Sequence, residues 1–121
     1  MGMNLEYGAG QFNKENSNNE KLKVDLEMAM EDYIHAFIIF EVVPHSATND
    51  ERAALKTDEQ GKLQQIVSIC CNALKSSEDK AETMEIIDDL IDNVNYKRDS
   101  GYDYASLIRV KLFRELVLML I

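Results

Sequence analysis

The chain contains no tryptophan, one proline, five glycines and two cysteines among its 121 residues. So few helix breakers favour long helices over a turn-rich β-sheet. The cysteines, Cys70 and Cys71, are adjacent, and neighbours on a helix point about 100° apart, which is poor geometry for a mutual disulfide. The sequence has no C-x-x-C pair and no spaced set of cysteines and histidines, which argues against the common zinc and redox motifs. A reduced, cytoplasmic protein is the simplest interpretation.

Basic residues are also scarce. The chain has 13 Lys and Arg against 22 Asp and Glu, giving a net charge of −9. This balance predicts no direct nucleic-acid partner and no anionic membrane partner. The N-terminus lacks the basic region and apolar run of a signal peptide. The longest apolar stretches are also shorter than a membrane span requires.

The composition is that of one globular domain, with 45% hydrophobic and 29% charged residues. Residues 1–19 are polar and rich in Gly and Asn, which predicts a flexible N-terminal arm ahead of a domain spanning 20–121. The first helix is expected to begin near Asn18 or Asn19, both good N-caps, and to stop before Pro44. A short strand is the alternative for the β-branched run at 38–43.

Two capping boxes, starting at Thr48 and Thr57, predict a short helix at about 49–56, a break, and a longer helix at about 58–75. One continuous helix is the alternative, in which Gly61 costs about 1 kcal/mol. Four main helices with the short extra helix predict an all-α fold, an antiparallel bundle with a flexible N-terminal arm.

The third main helix is strongly acidic. We expect Ser76 or Ser77 to cap it and the helix to end near Tyr96. Asp99, Ser100 and Gly101 then predict a turn, and the last helix begins at about Tyr102 or Asp103.

One face of this acidic helix carries most of the net charge. Between Glu78 and Asp92 the chain places seven acids against one base, Lys80, which is −6 of the total −9. Five of the acids recur every three or four residues and share one helix face: Glu78, Glu82, Glu85, Asp89 and Asp92. Clustered like charge is destabilising through self-repulsion. The stripe is therefore either a solvated helix face or a docking surface for a basic partner.

We favour docking as the functional hypothesis. The expected partner-binding residues combine the acids with nearby aromatic anchors: Glu78, Glu82, Glu85, Asp88, Asp89, Asp92, Tyr96, Tyr102 and Tyr104. The profile is that of a small acidic inhibitor or immunity-type protein that neutralises a basic partner, such as a toxin or nuclease. Arg109, Lys111 and Arg114 on the last helix are expected to pair internally with the acidic helices.

A homodimeric structural or regulatory protein is the alternative. The first helix ends in an apolar run at 37–43, and the last helix ends in another at 116–121. Both are apolar on nearly all sides, so we expect each to be buried in the core or in a dimer interface.

Catalytic signals are weak. The sequence has no G-x-S-x-G motif, P-loop or nucleotide-binding glycine pattern. Cys70 and Cys71 lie in an apolar stretch and are expected to be buried, inert thiols. Asp32 and His35 have the i, i+3 spacing of bundle di-iron sites, but that element occurs once and His45 follows Pro44 in a loop. We therefore expect no catalytic residue, metal or cofactor.

A second acidic pattern has a possible enzymatic meaning. Glu82, Glu85 and Asp88 are spaced by three, and Glu27 and Glu31 could face them. This spacing resembles the paired carboxylates of all-helical nucleotide pyrophosphohydrolases, which implies Mg²⁺-dependent phosphate chemistry. Glu27 and Glu31 are spaced by four instead of three, and basic residues for a triphosphate are sparse. This enzyme is the third hypothesis.

Overall fold

The computed structural model describes the backbone of residues 2–97 and 101–120, and the side chains of 19–96 and 101–119. Throughout these ranges the regular structure is helical, so the all-α prediction is confirmed. The elements are four α-helices and one short 3₁₀ turn: α1 Gly2–Glu41, α2 Asn49–Ser76, α3 Lys80–Asp92, the 3₁₀ turn Asn95–Lys97, and α4 Tyr104–Leu120.

Helix α1 is longer than predicted. Its backbone is helical from Gly2, so the predicted start at Asn18 or Asn19 is wrong. The chain has no proline before Pro44, so nothing upstream forces the helix to stop. Its C-terminal end is as predicted, because Glu41 is the last helical residue and the strand alternative does not form. The flexibility and separate status of 1–19 stay predictions.

Helix α2 is one uninterrupted element, so the predicted short helix at 49–56 and the break after it are wrong. Thr48 caps it, with its hydroxyl accepting a hydrogen bond from the Glu51 N–H at 3.1 Å. The second capping box, at Thr57, lies inside the helix. The cost of Gly61 is outweighed because the following turns bury apolar side chains, each worth about 1.5–3 kcal/mol when fully buried.

The boundaries of α3 differ from the prediction at both ends. Asp79 is the N-cap in place of Ser76 or Ser77, since its carboxylate accepts from the Glu82 N–H at 3.1 Å. Ser77 instead hydrogen-bonds to the buried Thr83 hydroxyl. The helix ends at Asp92, four residues before Tyr96.

The turn into α4 is closed by side chains. Asp103 accepts hydrogen bonds from the Ser106 N–H at 3.0 Å and from the Asn95 amide at 2.8 Å. These bonds place the helix start within a residue of the prediction. Gly101 has φ +74°, a left-handed conformation suited to glycine. The rest of the predicted turn, Asp99 and Ser100, lies outside the described residues.

The core is formed by one face of each helix, and α1 packs mainly against α2. The largest fully buried side chains come from all four helices: Tyr33, Leu26, Met30, Ile34, Ile66, Ile87, Ile91, Ile108, Leu112, Val67 and Cys70. On α3 the buried residues lie opposite the acids, so the core holds this helix with its acidic face outward.

The apolar end of α4 is largely exposed, so it is not buried in the core of the single chain, whereas at the end of α1 Phe37 and Ile38 pack partly buried against the core. Burial of either end in a dimer interface stays a prediction. On α4, Leu116 is buried, but Val117, Leu118 and Met119 are 52%, 62% and 56% exposed. After α1, Val42 is 70% exposed. The apolar run at the end of α4 is not buried on all sides because a small core needs only one face of each helix. The opposite faces have no further layer to pack against. The side chains of Leu120 and Ile121 lie outside the described residues.

Candidate functional site

The acidic helix face is exposed along its whole length. Six carboxylates of the sequence prediction are exposed: Glu78, Glu82, Glu85, Asp88, Asp89 and Asp92. Glu78 precedes the helix, and the others lie on α3 itself. Buried Thr83, Ile87, Leu90 and Ile91 fix the opposite face in the core, so the acids are presented from a rigid element.

One edge of this face is neutralised internally by Arg109 of α4. The Arg109 Nε donates to Asp88 Oδ1 at 2.8 Å, and its Nη2 donates to Asp92 Oδ1. These contacts join α3 to α4 and raise the pKa of Arg109, with the hydrogen bond to Asp92 as the largest cause. The internal pairing predicted for Arg109 is therefore present.

The other edge of the acidic face is not neutralised by a basic side chain of the described residues. Within the described residues, Glu82, Glu85 and Asp89 make no ion pair. Their carboxylates lie about one turn apart along α3, with a rise of about 4.5–6 Å between successive acids. This row can accept several hydrogen bonds from the cations of a partner at once. No ion pair among the described residues has to break before that partner binds.

The three tyrosines have different environments. Tyr96 is 87% exposed and Tyr102 is 50% exposed. The Tyr102 ring contacts the rings of Phe37 and Tyr104, with centroid distances of 6.0 and 4.8 Å. Tyr104 is buried in the core. A buried ring cannot contact a partner, so Tyr104 is not itself a contact residue. Its role is to pack against the ring of Tyr102.

The metal patterns are not assembled. Asp32 and His35 are both exposed on α1. Glu27 and Glu31 line a small cleft beside Leu90 and Asn93, away from Glu82 and Glu85 at the other end of α3. Across the described ranges, no group of three or more His, Cys, Asp and Glu is placed to hold a metal ion. Within these ranges, the three-residue spacing of the α3 carboxylates therefore does not correspond to a metal site shared with Glu27 and Glu31.

The sequence analysis missed a buried carboxylate, Glu59, which is 2% exposed. Its Oε1 accepts hydrogen bonds from the Tyr33 hydroxyl at 3.3 Å and from Lys111 Nζ at 3.0 Å. Its Oε2 has no hydrogen-bond partner, although Lys56 Nζ lies 3.6 Å away. An unsatisfied buried group costs about 1–3 kcal/mol. One signal was available, because Glu59 precedes buried Leu63 and Ile66 at helical spacing.

The environment of Glu59 shifts the pKa of its neighbours. Burial raises the pKa of Tyr33, against the opposing effect of Lys111. Burial acts to lower the pKa of Lys111, but its hydrogen bonds to Tyr33 and Glu59 outweigh this and raise it. The Lys111 ammonium also lies over the rings of Tyr33 and Phe37, 5.7 and 5.9 Å from their centroids. Lys111 thus pairs internally, but with α2 instead of the acidic helix.

Both cysteines are free thiols. Cys70 is fully buried, and burial raises its pKa to about 12, with Cys71 adding to the shift. This agrees with the inert thiol predicted for Cys70. Cys71 is only partly buried, and its Sγ contacts Met119 Sδ at 3.6 Å.

The chain matches no family model, and no similar chain was found among curated proteins or solved structures. In the described part of the molecule, no helix combines the length and apolar character needed to cross a bilayer.

Proposed function

We propose that the protein is a small acidic protein-binding module, an inhibitor or immunity-type protein that neutralises a basic partner through the exposed face of α3. The observation that carries the proposal is the row of Glu82, Glu85 and Asp89, exposed and without ion pairs in the described residues. Such a row attracts cations at long range and requires no internal bond to break before contact.

A nuclease-like protein is the partner class that fits best. A nuclease cleft must attract phosphate and is therefore lined by Lys and Arg. A helix with carboxylates on successive turns presents acceptors that such a cleft can bind. Tyr96, in the 3₁₀ turn that follows α3, and Tyr102, before α4, are exposed and supply aromatic area that can hold the complex after encounter.

Three finer features belong to this proposal. We place the four helices in an antiparallel bundle, supported by the short connections from α1 to α2 and from α2 to α3. We treat 20–121 as the binding domain. We also propose a cytoplasmic location, supported by the free thiols.

Charge reversal tests the acidic face. The triple variant Glu82→Lys, Glu85→Lys, Asp89→Lys is compared with Glu20→Lys, Asp32→Lys, Asp58→Lys, which makes the same charge change at exposed positions elsewhere. Both tagged proteins capture partners from host lysate at low salt, and bound proteins are eluted at high salt and identified by mass spectrometry. We expect one stoichiometric basic protein on the wild type and the control, and none on the α3 variant. Equal capture by both variants would contradict the proposal.

Salt dependence gives a second readout on the purified pair. Long-range attraction fades as the Debye length falls from about 10 Å at 0.1 M salt to about 3 Å at 1 M. Association with the wild type should therefore slow steeply with salt. Association with the α3 variant should be slow at low salt and nearly independent of it.

A homodimer is the second candidate, supported by a bare apolar stripe on α4. Val110, Phe113 and Val117 recur at spacings of three and four, and are 68%, 47% and 52% exposed. Exposed apolar patches of this kind mark association sites. Light scattering across a concentration series of wild type and Phe113→Glu tests this. A dimer lost in the variant would support it, and a wild-type monomer throughout the series would exclude it.

A further inference from the structure

A groove between α2 and α4 has the features of a ligand site and is separate from the acidic face. Its volume is about 650 Å³, and its lining includes Lys56, Glu59, Gly61, Lys111 and Arg114. Pockets of about 300–1,000 Å³ are the usual size for small-molecule ligands. Its lining residues come from α2 and α4 and include neither Arg109 nor any residue of α3.

The wall of the groove contains an incomplete hydrogen-bonding site. Glu59 is 2% exposed, and both of its hydrogen bonds, from Tyr33 and Lys111, go to Oε1. Oε2 receives none. Lys56 Nζ lies 3.6 Å from it and 5.1 Å from the centroid of the Phe40 ring, on a side chain that is 46% exposed. A ligand donor that replaces Lys56 at Oε2 would complete the coordination of this carboxylate.

Gly61 is an independent indication. It lies in the interior of α2, where glycine is unfavourable relative to alanine, and it lines the groove. A Cβ at this position would meet nothing within 4 Å, so no internal contact requires glycine here. Glycine in a regular element is expected where a ligand approaches the backbone closely.

The groove is also locally cationic in a protein of net charge −9. Lys56, Lys111 and Arg114 line it against two carboxylates, Glu59 and Glu115. Arg114 makes no ion pair within the described residues. Arg114 and a displaced Lys56 could therefore hold an anionic group, while Glu59 accepts a hydrogen bond from another part of the same molecule.

We propose that this groove binds a small organic anion that also carries an N–H or O–H donor. Leu63 and Leu118, which also line the groove, contact its apolar part. Two sources share this chemistry: α-amino acids, with a carboxylate and an ammonium, and nucleoside monophosphates, with a phosphate and a base or ribose donor. Acetate, an anion without a donor, satisfies Arg114 but not Glu59.

The test is a titration of ¹⁵N-labelled full-length protein followed by two-dimensional NMR, with the Gly61 amide as the reporter. The probes are L-serine and L-aspartate in one arm, the four common nucleoside monophosphates in the other, and acetate as the reference. We expect at least one probe to shift the Gly61, Gln60 and Gln64 amides saturably, and acetate to bind more weakly. The responding arm identifies the source. Absence of saturable shifts with every probe overturns the proposal.

Variants separate binding in the groove from general charge attraction. Arg114→Gln should weaken the responding probe about tenfold, as expected for loss of one charge-assisted hydrogen bond. Lys62→Gln makes the same charge change on α2 outside the groove lining and should leave the affinity within about twofold. Gly61→Leu fills the open space and should abolish binding, whereas Ala54→Leu, on the exposed side of α2, should not. Equal affinities for all four variants would overturn the proposal.

Discussion

Lys111 on α4 donates a hydrogen bond of 3.0 Å to Glu59 on α2, across 52 residues of sequence. Glu59 is almost fully buried, so this bond holds a charge inside the core and fixes α4 against α2. The Tyr33 hydroxyl of α1 donates to the same carboxylate oxygen. Three helices therefore meet at one charged group, and the stability of their contact depends on its partners.

Removal of one partner should destabilise the fold. We expect Lys111→Met to cost about 2 kcal/mol, less than a fully buried pair because Lys111 is partly exposed. The free energy of unfolding from denaturant titration measures this. The double variant Glu59→Leu, Lys111→Met should cost less than the sum of the two single variants. Each single variant leaves one charge unpaired, whereas the double variant removes both charges. Additive costs would show that the two residues do not interact.

The same group makes stability sensitive to alkali. The pKa values of Tyr33 and Lys111 are both raised in the folded state from 10.0 and 10.5. The folded state then holds these protons at a pH where the unfolded chain releases them. The contribution of these two groups to stability should therefore be fully present below about pH 10 and be lost as the pH rises through their folded values. Tyr33→Phe should reduce the fall, as measured by thermal unfolding at several pH values against a Tyr96→Phe control.

Glycine substitutions should have opposite effects at two positions. Gly61→Ala should stabilise the protein by about 1 kcal/mol, because its Cβ meets nothing and α2 is helical there. Gly101→Ala should destabilise it by about 1 kcal/mol or more, because φ is +74°. Chemical denaturation of both variants measures the difference. A destabilising Gly61→Ala would show that something packs over Gly61 in solution.

The N-cap of α4 should remain charged in acid. Hydrogen bonds from Ser106 and Asn95 lower the pKa of Asp103 from 3.8 to about 2. Stability from this charge is present above the unfolded pKa and is lost as pH falls through the folded value, from about 4 to about 2. Asp103→Ala should lower the melting temperature at neutral pH. The gap to wild type should narrow through that acid window, and a gap that is constant with pH would contradict this origin.

The ion pairs of Arg109 should contribute little to folding and more to partner selection. Arg109, Asp88 and Asp92 are 29%, 52% and 57% exposed at their side chains, so Arg109→Gln should cost less than about 1 kcal/mol. The variant also leaves both carboxylates uncompensated. If the acidic face is the docking surface, association with the basic partner should become faster. Stopped-flow kinetics at low salt measures this, and an unchanged or slower rate would place docking elsewhere.

The helices could be predicted from sequence because their signals are local. Few breakers and helical spacing of apolar residues identified four main helices, and the acids of α3 share one face because they share one helix. Boundaries were less predictable because several residues competed as caps. Asp79 caps α3 instead of Ser77, and the box at Thr57 lies inside a helix already started by Thr48. Thr57 could not be distinguished from Thr48 without knowing which turns pack.

Contacts between helices left no local pattern. Tyr33 and Glu59 are 26 residues apart, so no spacing in the sequence joins them. Opposite charge predicted that Arg109 pairs with an acidic helix, but not that its partners are Asp88 and Asp92. The groove depends on where α4 crosses α2, which is decided by packing. Burial of the α4 end in the core could not be decided from sequence for a related reason. Hydrophobic residues indicate a tendency to be buried, but the number of available layers decides how many of them are.

The sulfur contact between Cys71 and Met119 has a consequence for oxidation of the protein. Met28 and Met119 are 63% and 56% exposed, whereas Met30 is fully buried in the core. Peroxide should therefore convert Met119 to its sulfoxide well before Met30, and Cys71 is the thiol nearest to that lesion. A polar sulfoxide at this point weakens the hold of the last turn of α4 on α2. Among these methionines, oxidation should affect the exposed Met28 and Met119 first and leave Met30 in the core intact.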